Sequence, residues 1–466
     1  MKLGPTKIAR QRDGYWLLFL VLLLWPIPGE SAENQSPAPQ MSLQLGGAKD
    51  GNVLTLDDAL QMALDNNPTI VASRERIGAQ KAVLGQQMGA YYPTIVMSNF
   101  YRTGTEVNTT SSISTNGAFD TYSSVASLNM TIYNFGKREG NVQAARETLD
   151  ATGFNYDTTV SNVILSVKQA YYAYLGFKAI VKVNEDTVKD RQATVNQTQG
   201  FFDVGTRARI DVVRAEANLY SAQADLITAR NAMQVGWVVL KNAIGVRNLP
   251  ERPLVDESAT PNISPLYTLD QAREIAYASR PELKSFAAQK RAQDQTIATA
   301  RRGHLPDIIF DSNYRNANVG NTTLRVGDRT VKLDAFPLQA GWQVQLSLNI
   351  PIFDGFRTTN RVEESLRTYY VITAQEEQQR QQVALDVEQS YLNLLGVSER
   401  LKANEAAARA GKENLDLANG RYSVGVGSII EVTDAETLYT TSQTTYVRTL
   451  YDYKIAEAQL QRAIGR

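Results

Sequence analysis

The chain has 466 residues, no cysteine, a single histidine, and 48 acidic residues balanced by 48 basic ones. That neutral balance offers no electrostatic footprint for nucleic acid. Without cysteine there are no disulfides, no thiolate metal sites and no cysteine-linked lipid anchor, and one histidine leaves no credible transition-metal site.

Residues 1–32 read as a secretory signal: Lys2, Lys7, Arg10 and Arg12 precede an apolar stretch at 15–25, followed by Pro26, Pro28 and Gly29. The stretch is about 11 residues, short of the roughly 20 that a spanning helix needs, so cleavage after Ser31 or Ala32 is expected. Residues 33–53 are polar, with Pro and Gly and no apolar period, and read as a flexible leader. No later stretch is long and apolar enough to span as a helix. If the chain crosses a membrane, it does so with strands.

From Leu56 onward the sequence is duplicated. LDDALQMALDNNPTI from Leu56 matches LDQAREIAYASRPEL from Leu269, an offset of 213. Further on, VKQAYYAYL from Val167 matches VEQSYLNLL from Val387 at an offset of 220, as do Val204-Gly205 with Val424-Gly425 and Ala215-Glu216 with Ala435-Glu436. Chance does not keep register over so many landmarks. The expected organisation is repeat 1 over 54–250, a linker over 251–267, and repeat 2 over 268–466.

Each copy opens with a short amphipathic helix, a proline (Pro68 or Pro281), and a second helix of about 24 residues ending at Pro93 or Pro306. The period then changes to two. Ala126, Leu128, Met130 and Ile132 alternate with Ser127, Asn129 and Thr131, and Trp342, Val344, Leu346, Leu348, Ile350 and Ile352 alternate with Gln343, Gln345, Ser347 and Asn349. These are strands with one apolar face. Their partners follow the prolines at 94–101 and 307–314, giving one hairpin per copy at about 94–135 and 307–353. Residues 104–117 and 315–341, rich in Asn, Thr, Ser and Gly, read as polar loops at the hairpin tips. Trp342, Tyr133, Tyr92 and Tyr314 suit interfacial aromatic belts.

After Phe135-Gly136 and Phe353-Asp354-Gly355 a helical period returns. Long helices are expected over 137–203, 208–245, 356–422 and 428–464, paired antiparallel through turns at Val204-Gly205 and Val424-Gly425. The first would be a rod of about 100 Å. Four strands leave an apolar face and two open edges, which in lipid cost several kcal/mol per unsatisfied backbone group, so strands of several copies must combine. Two copies would give eight strands and a filled interior, whereas three would give twelve and room for a channel. His304, before Leu305-Pro306, reads as a capping or solvated imidazole. There is no P-loop sequence and no GxSxG, so no energy-coupling or hydrolase chemistry is indicated.

In this order, twice, the motifs LDDALQMALDNNP and LDQAREIAYASRP, TIYNFGKR and IPIFDGFR, and FFDVGTRARIDVVRAEANL and RYSVGVGSIIEVTDAETL resemble the outer membrane efflux protein family. The resemblance covers essentially the whole mature length. It implies a mixed α and β membrane protein: a homotrimer with one 12-stranded β-barrel in the bacterial outer membrane and its lipid, continued by a long periplasmic α-helical barrel of antiparallel coiled coils. It also implies no catalysis, no cofactor, and partnership with a periplasmic adaptor and an inner-membrane RND, ABC or MFS transporter. By the same resemblance the turns Val204, Gly205, Thr206 and Val424, Gly425, Val426 form the periplasmic tip and contact the adaptor. Glu431 and Asp434 match carboxylates that line a constricted entrance, and Tyr422 with Asp211 matches a polar link that holds the coils closed. Residue by residue, acidic groups at a helix start could instead serve the helix dipole or a cap. This chain departs from the pattern at Gly427, where a typical member carries arginine, and has Arg207 and Arg209 in the first turn. A general diffusion porin or a passive envelope-spanning scaffold is the alternative, although neither needs long helical hairpins with Val-Gly tips.

Overall fold

A computed structural model describes residues 53–110, 113–256, 267–319, 322–326, 329–333 and 336–466, all within one unit spanning Asn52–Arg466. The expected signal segment, the leader up to residue 52, and residues 257–266 of the expected linker lie outside the described residues.

Each half opens on a capped helix. Thr55 accepts a hydrogen bond from Asp58 N at 3.1 Å while Asp58 Oδ2 accepts one from Thr55 N, closing a capping box ahead of α1 (Leu56–Asn66). Asn67 then caps α2 (Pro68–Gly89) by accepting from Thr69 N at 2.9 Å, with Pro68 at a position that needs no amide proton. The second half repeats this with the Thr268–Gln271 box before α5 (Leu269–Ser279) and Pro281 opening α6 (Pro281–Arg301). A 3-10 turn, Arg302–His304, leads to Pro306, and the His304 imidazole is exposed there.

The long helices are α3 (Lys137–Asp203) and α4 (Arg209–Ile244) in the first half, α7 (Arg357–Ser423) and α8 (Ile429–Ala463) in the second. Gly136 (φ +86°) and Gly355 (φ +68°) set the left-handed corners from which α3 and α7 start. At 67 residues each, α3 and α7 rise about 100 Å. Both are backed by their hairpin mates, and α3 also packs on α8 and α6. At the base of the first hairpin Val167, Tyr171, Tyr174, Trp237, Leu240 and Ile244 form the core. Gly245 closes that base: its φ is +85°, and a Cβ there would lie 2.7 Å from Asn67 Cα. The start of the expected linker joins this core. Leu254 pairs with Leu54 as a parallel bridge, and the Tyr171 hydroxyl donates to Val255 O at 2.8 Å.

The strands form one antiparallel sheet in the order β1 (Thr94–Thr110), β2 (Ile113–Tyr133), β3 (Asp307–Val319), β6 (Phe336–Asn349), with β1 and β6 at its edges. A separate hairpin, β4 (Thr322–Val326) and β5 (Arg329–Leu333), lies between β3 and β6.

This corrects the reading of 104–117 and 315–341 as loops. β1 and β2 stay paired from Thr94↔Asn129 out to Thr110↔Ile113, and β3 pairs with β6 out to Val319↔Phe336. The ladder is held by backbone groups, and Thr fits an extended strand whether or not it alternates with apolar residues. Period-two hydropathy reports an apolar environment on one face, and it ends before the pairing does.

Candidate functional site

Two features of this fold bear on function: the faces of the sheet and the turns at the far ends of the long helices. Cross-strand register places Met97, Ala126, Tyr314 and Trp342 in one row, and Ile95, Leu128, Ser312 and Val344 in a neighbouring row. Rows of the same parity carry Met130, Phe310 and Leu346, then Ile308 and Leu348. Because side chains alternate, all of these share one face. On it Ile95, Met97, Trp342, Val344, Leu346 and Leu348 are exposed. Rows of the other parity are polar: Thr94, Asn129, Asp311 and Gln345, then Ser127, Asn313 and Gln343 beside Val96. On that face the Asn129 amide donates to Asp311, and Gln345 to Ser347.

Tyr122, opposite Tyr101, and Tyr133, past a bulge, bound the apolar face on β2. The 11 steps between them span about 37 Å along the strand, or about 26 Å of height at a 45° tilt, the height of a barrel's lipid-facing band. Among the described residues no helix is long and apolar enough to cross a membrane.

At the helix ends, Gly205 (φ +76°) and Gly425 (φ +83°) form matching left-handed turns. Thr206 N donates to Phe201 O at 2.9 Å and Val426 N to Arg421 O at 3.0 Å, which satisfies the last carbonyls of α3 and α7. Val204, Gly205, Thr206, Val424, Gly425 and Val426 are all exposed, with Ile210, Val213 and Ile430 beside them.

Beneath the turns is a small core of Leu415, Ala418, Tyr422, Ile429, Val432 and Ala435, against which Phe201 packs. The rings of Phe201 and Tyr422 meet edge to face at 5.6 Å. Tyr422 is buried, and its hydroxyl has no hydrogen-bond partner among the described residues. Burial pushes this hydroxyl above the usual phenol range; the Asp211 charge adds to the rise and Arg207 opposes it. Asp211 therefore acts on Tyr422 through its field, without a hydrogen bond. Nor does Asp211 cap α4, whose start has no side-chain cap.

The sequence singled out Arg207 and Gly427 as departures from the family pattern but not the contact by which Arg207 joins the two turns. Arg207 Nη2 donates to Gly427 O at 2.9 Å and to Gly425 O at 3.4 Å, and its guanidinium lies 5.1 Å from the Tyr422 ring centroid. Gly427 leaves no room for a side chain, since a Cβ there would sit 2.9 Å from Tyr422 N. The signal was the pairing of Arg207 with Gly427 at equivalent repeat positions, one large cation against the smallest residue.

Glu431 lies in the first turn of α8, where Ser428 caps its amide at 3.2 Å, and its carboxylate meets Arg421 at 3.2 Å. Asp434 is exposed, with no ion pair among the described residues. The two carboxylates named for the entrance are thus unequal: one is partly neutralised across its own turn. Further along α8, Glu436 is 4 % exposed, accepts a hydrogen bond from Thr194 Oγ1 at 2.6 Å, and lies 3.9 Å from Arg191 Nε. Burial raises its carboxyl above the usual range despite Thr194 and Arg191.

The outer membrane efflux protein family matches this chain over residues 59–246 and 272–466. Outer membrane protein TolC of Vibrio cholerae is 24 % identical over 317 residues, 66 % of this chain and 69 % of the relative. Protein CyaE of Bordetella pertussis is 26 % identical over 404 residues, 82 % of this chain and 78 % of the relative. The solved outer membrane protein VceC of Vibrio cholerae has the same fold, with a TM-score of 0.71 at 16 % identity, covering 88 % of this chain and 96 % of that one. With the duplicated hairpins and the two-faced sheet, these matches establish that the chain belongs to the outer membrane efflux protein family and is an outer-membrane protein.

Proposed function

We propose that three copies of the chain close their sheets into one 12-stranded barrel in the outer membrane and align their helical hairpins into a periplasmic tube. The assembly is the exit duct of a tripartite efflux or type I secretion system. A periplasmic adaptor grips the exposed turns at Val204, Gly205, Thr206 and Val424, Gly425, Val426 of the two hairpins, and an inner-membrane RND, ABC or MFS transporter supplies the energy. The observation that carries this reading is the sheet with one apolar face, one polar face and two open edges. An open edge is untenable in lipid, and eight strands would leave no channel.

At the tip, Arg207 holds the two turns of one copy together, while Asp434 and Glu431 face the entrance and give it cation preference. Single-channel recording of the purified protein in planar bilayers tests the duct, and co-purification with the adaptor tests the tip. A protein without conductance contradicts the first; retained adaptor binding after Val204, Val424 and Val426 are all replaced by Asp contradicts the second.

A further inference from the structure

The two halves can be laid on each other by number alone. α3 and α7 have 67 residues each, with starts at 137 and 357, and α4 and α8 start at 209 and 429, so each position on the first pair of long helices has a mate 220 residues away. Within the chain α3 packs along α8. Its mate α7 has no comparable packing with α4 among the described residues, so one of two equivalent seams is left open.

We propose that α7 of one copy docks on α4 of the next in the register that α3 keeps on α8, with Glu388 of α7 forming an ion pair with Lys241 of the neighbouring copy. The proposal rests on the multi-copy reading above and adds to it a register and a named contact.

The occupied seam supplies the template. Near its base Lys168 of α3 donates to Gln461 Oε1 of α8 at 2.8 Å. The mates of this pair are Glu388 and Lys241, which carry opposite charges. Lys241 has no ion pair or side-chain hydrogen bond among the described residues. Glu388 lies 3.7 Å from Arg273, which also reaches Asp270 at 3.5 Å. Two carboxylates around one guanidinium leave a net negative charge, which a neighbouring Lys241 neutralises. Beside it, Arg462, the residue after Gln461, donates to Asn162 at 2.8 Å, and their mates Asn242 and Gln382 are two amides able to hydrogen-bond each other.

Packing follows the same correspondence. Leu175 of α3 is 3 % exposed, whereas its mate Leu395 on α7 is 43 % exposed. Ala458 of α8 is 4 % exposed, whereas its mate Val238 on α4 is 57 % exposed. Gly176 is pressed by the Tyr451 ring, a Cβ there falling 3.3 Å from it, while a Cβ on its mate Gly396 would meet nothing within 4 Å. A glycine inside a long helix is unfavourable unless something approaches closely. In the first seam that neighbour is α8; at Gly396 the second seam requires one from another copy.

The chain has no cysteine, so introduced thiols are the only ones present. The Lys241→Cys, Glu388→Cys double variant, purified in detergent and treated with a short bifunctional thiol reagent, is expected to give two-chain and three-chain species on denaturing gels. Lys241→Cys with Glu399→Cys, which sits about 16 Å further along α7, is expected to stay at one chain. Charge reversal adds an independent readout: Lys241→Glu lowers the temperature at which the oligomer dissociates, and Lys241→Glu with Glu388→Lys restores it. An oligomer that neither cross-links at 241/388 nor recovers on charge exchange overturns the register while leaving the duct intact. A protein that is monomeric by light scattering overturns both.

Discussion

Glu436 and Gly427 show how single residues constrain the tip. The Glu436 carboxyl is raised by burial, so folding favours its protonated form. Its contribution to stability is therefore full below the unfolded value of 4.5 and is lost as pH rises through the folded value. Thermal denaturation should show stability rising on acidification across that window, with the slope reduced in Glu436→Gln; an unchanged slope would assign the effect elsewhere. Glu436→Ala, which takes away the Thr194 hydrogen bond and the carboxylate beside Arg191 while the guanidinium keeps its bond to Asn218 O, should cost about 1–3 kcal/mol. Gly427→Ala should destabilise the turn by about 1–3 kcal/mol, because the added methyl meets backbone that cannot move aside. Proteolysis at the second turn, faster in the variant, would register the loss. Of the two carboxylates proposed for the entrance, Asp434 should count for more than Glu431, since Arg421 offsets the latter's charge. Reversal potentials under a salt gradient should shift further for Asp434→Ala than for Glu431→Ala; equal shifts would mean that Arg421 does not screen Glu431.

Between elements, the decisive contact at the tip is Arg207 on the carbonyls of Gly425 and Gly427. Arg207→Ala should loosen the two hairpin turns and raise the conductance of the isolated channel; an unaltered conductance would remove Arg207 from the closure. Much of this level was legible in the sequence. The prolines and the glycine corners act locally, and the 3.6 and 2.0 periods follow from one face being buried or in lipid. The outer parts of the hairpins escaped because their backbone pairing leaves no hydropathy period. The partners of the candidate site residues escaped for another reason. Arg207 meets a carbonyl 220 positions away, and Arg421 meets Glu431 across a turn, and neither distance has a local signature. The resemblance pointed to Tyr422 and Asp211, but burial of the hydroxyl without a partner is visible only in three dimensions.

For the whole molecule, duplication gives a single chain four strands of one sheet and two open edges. Each half brings a two-stranded piece of sheet and one helical hairpin, and the joined halves still leave sheet edges β1 and β6 open. Cyclic closure removes both edges at once, since β6 of one copy can pair with β1 of the next. In the proposed closed ring the polar rows of Thr94, Asn129, Asp311 and Gln345 line the interior, and the rows of Met97, Tyr314 and Trp342 meet lipid. The number of copies decides whether that interior conducts. Native mass spectrometry of the protein extracted from outer membranes counts them directly. A mass of three chains is predicted; a mass of one or two chains would contradict a 12-stranded duct.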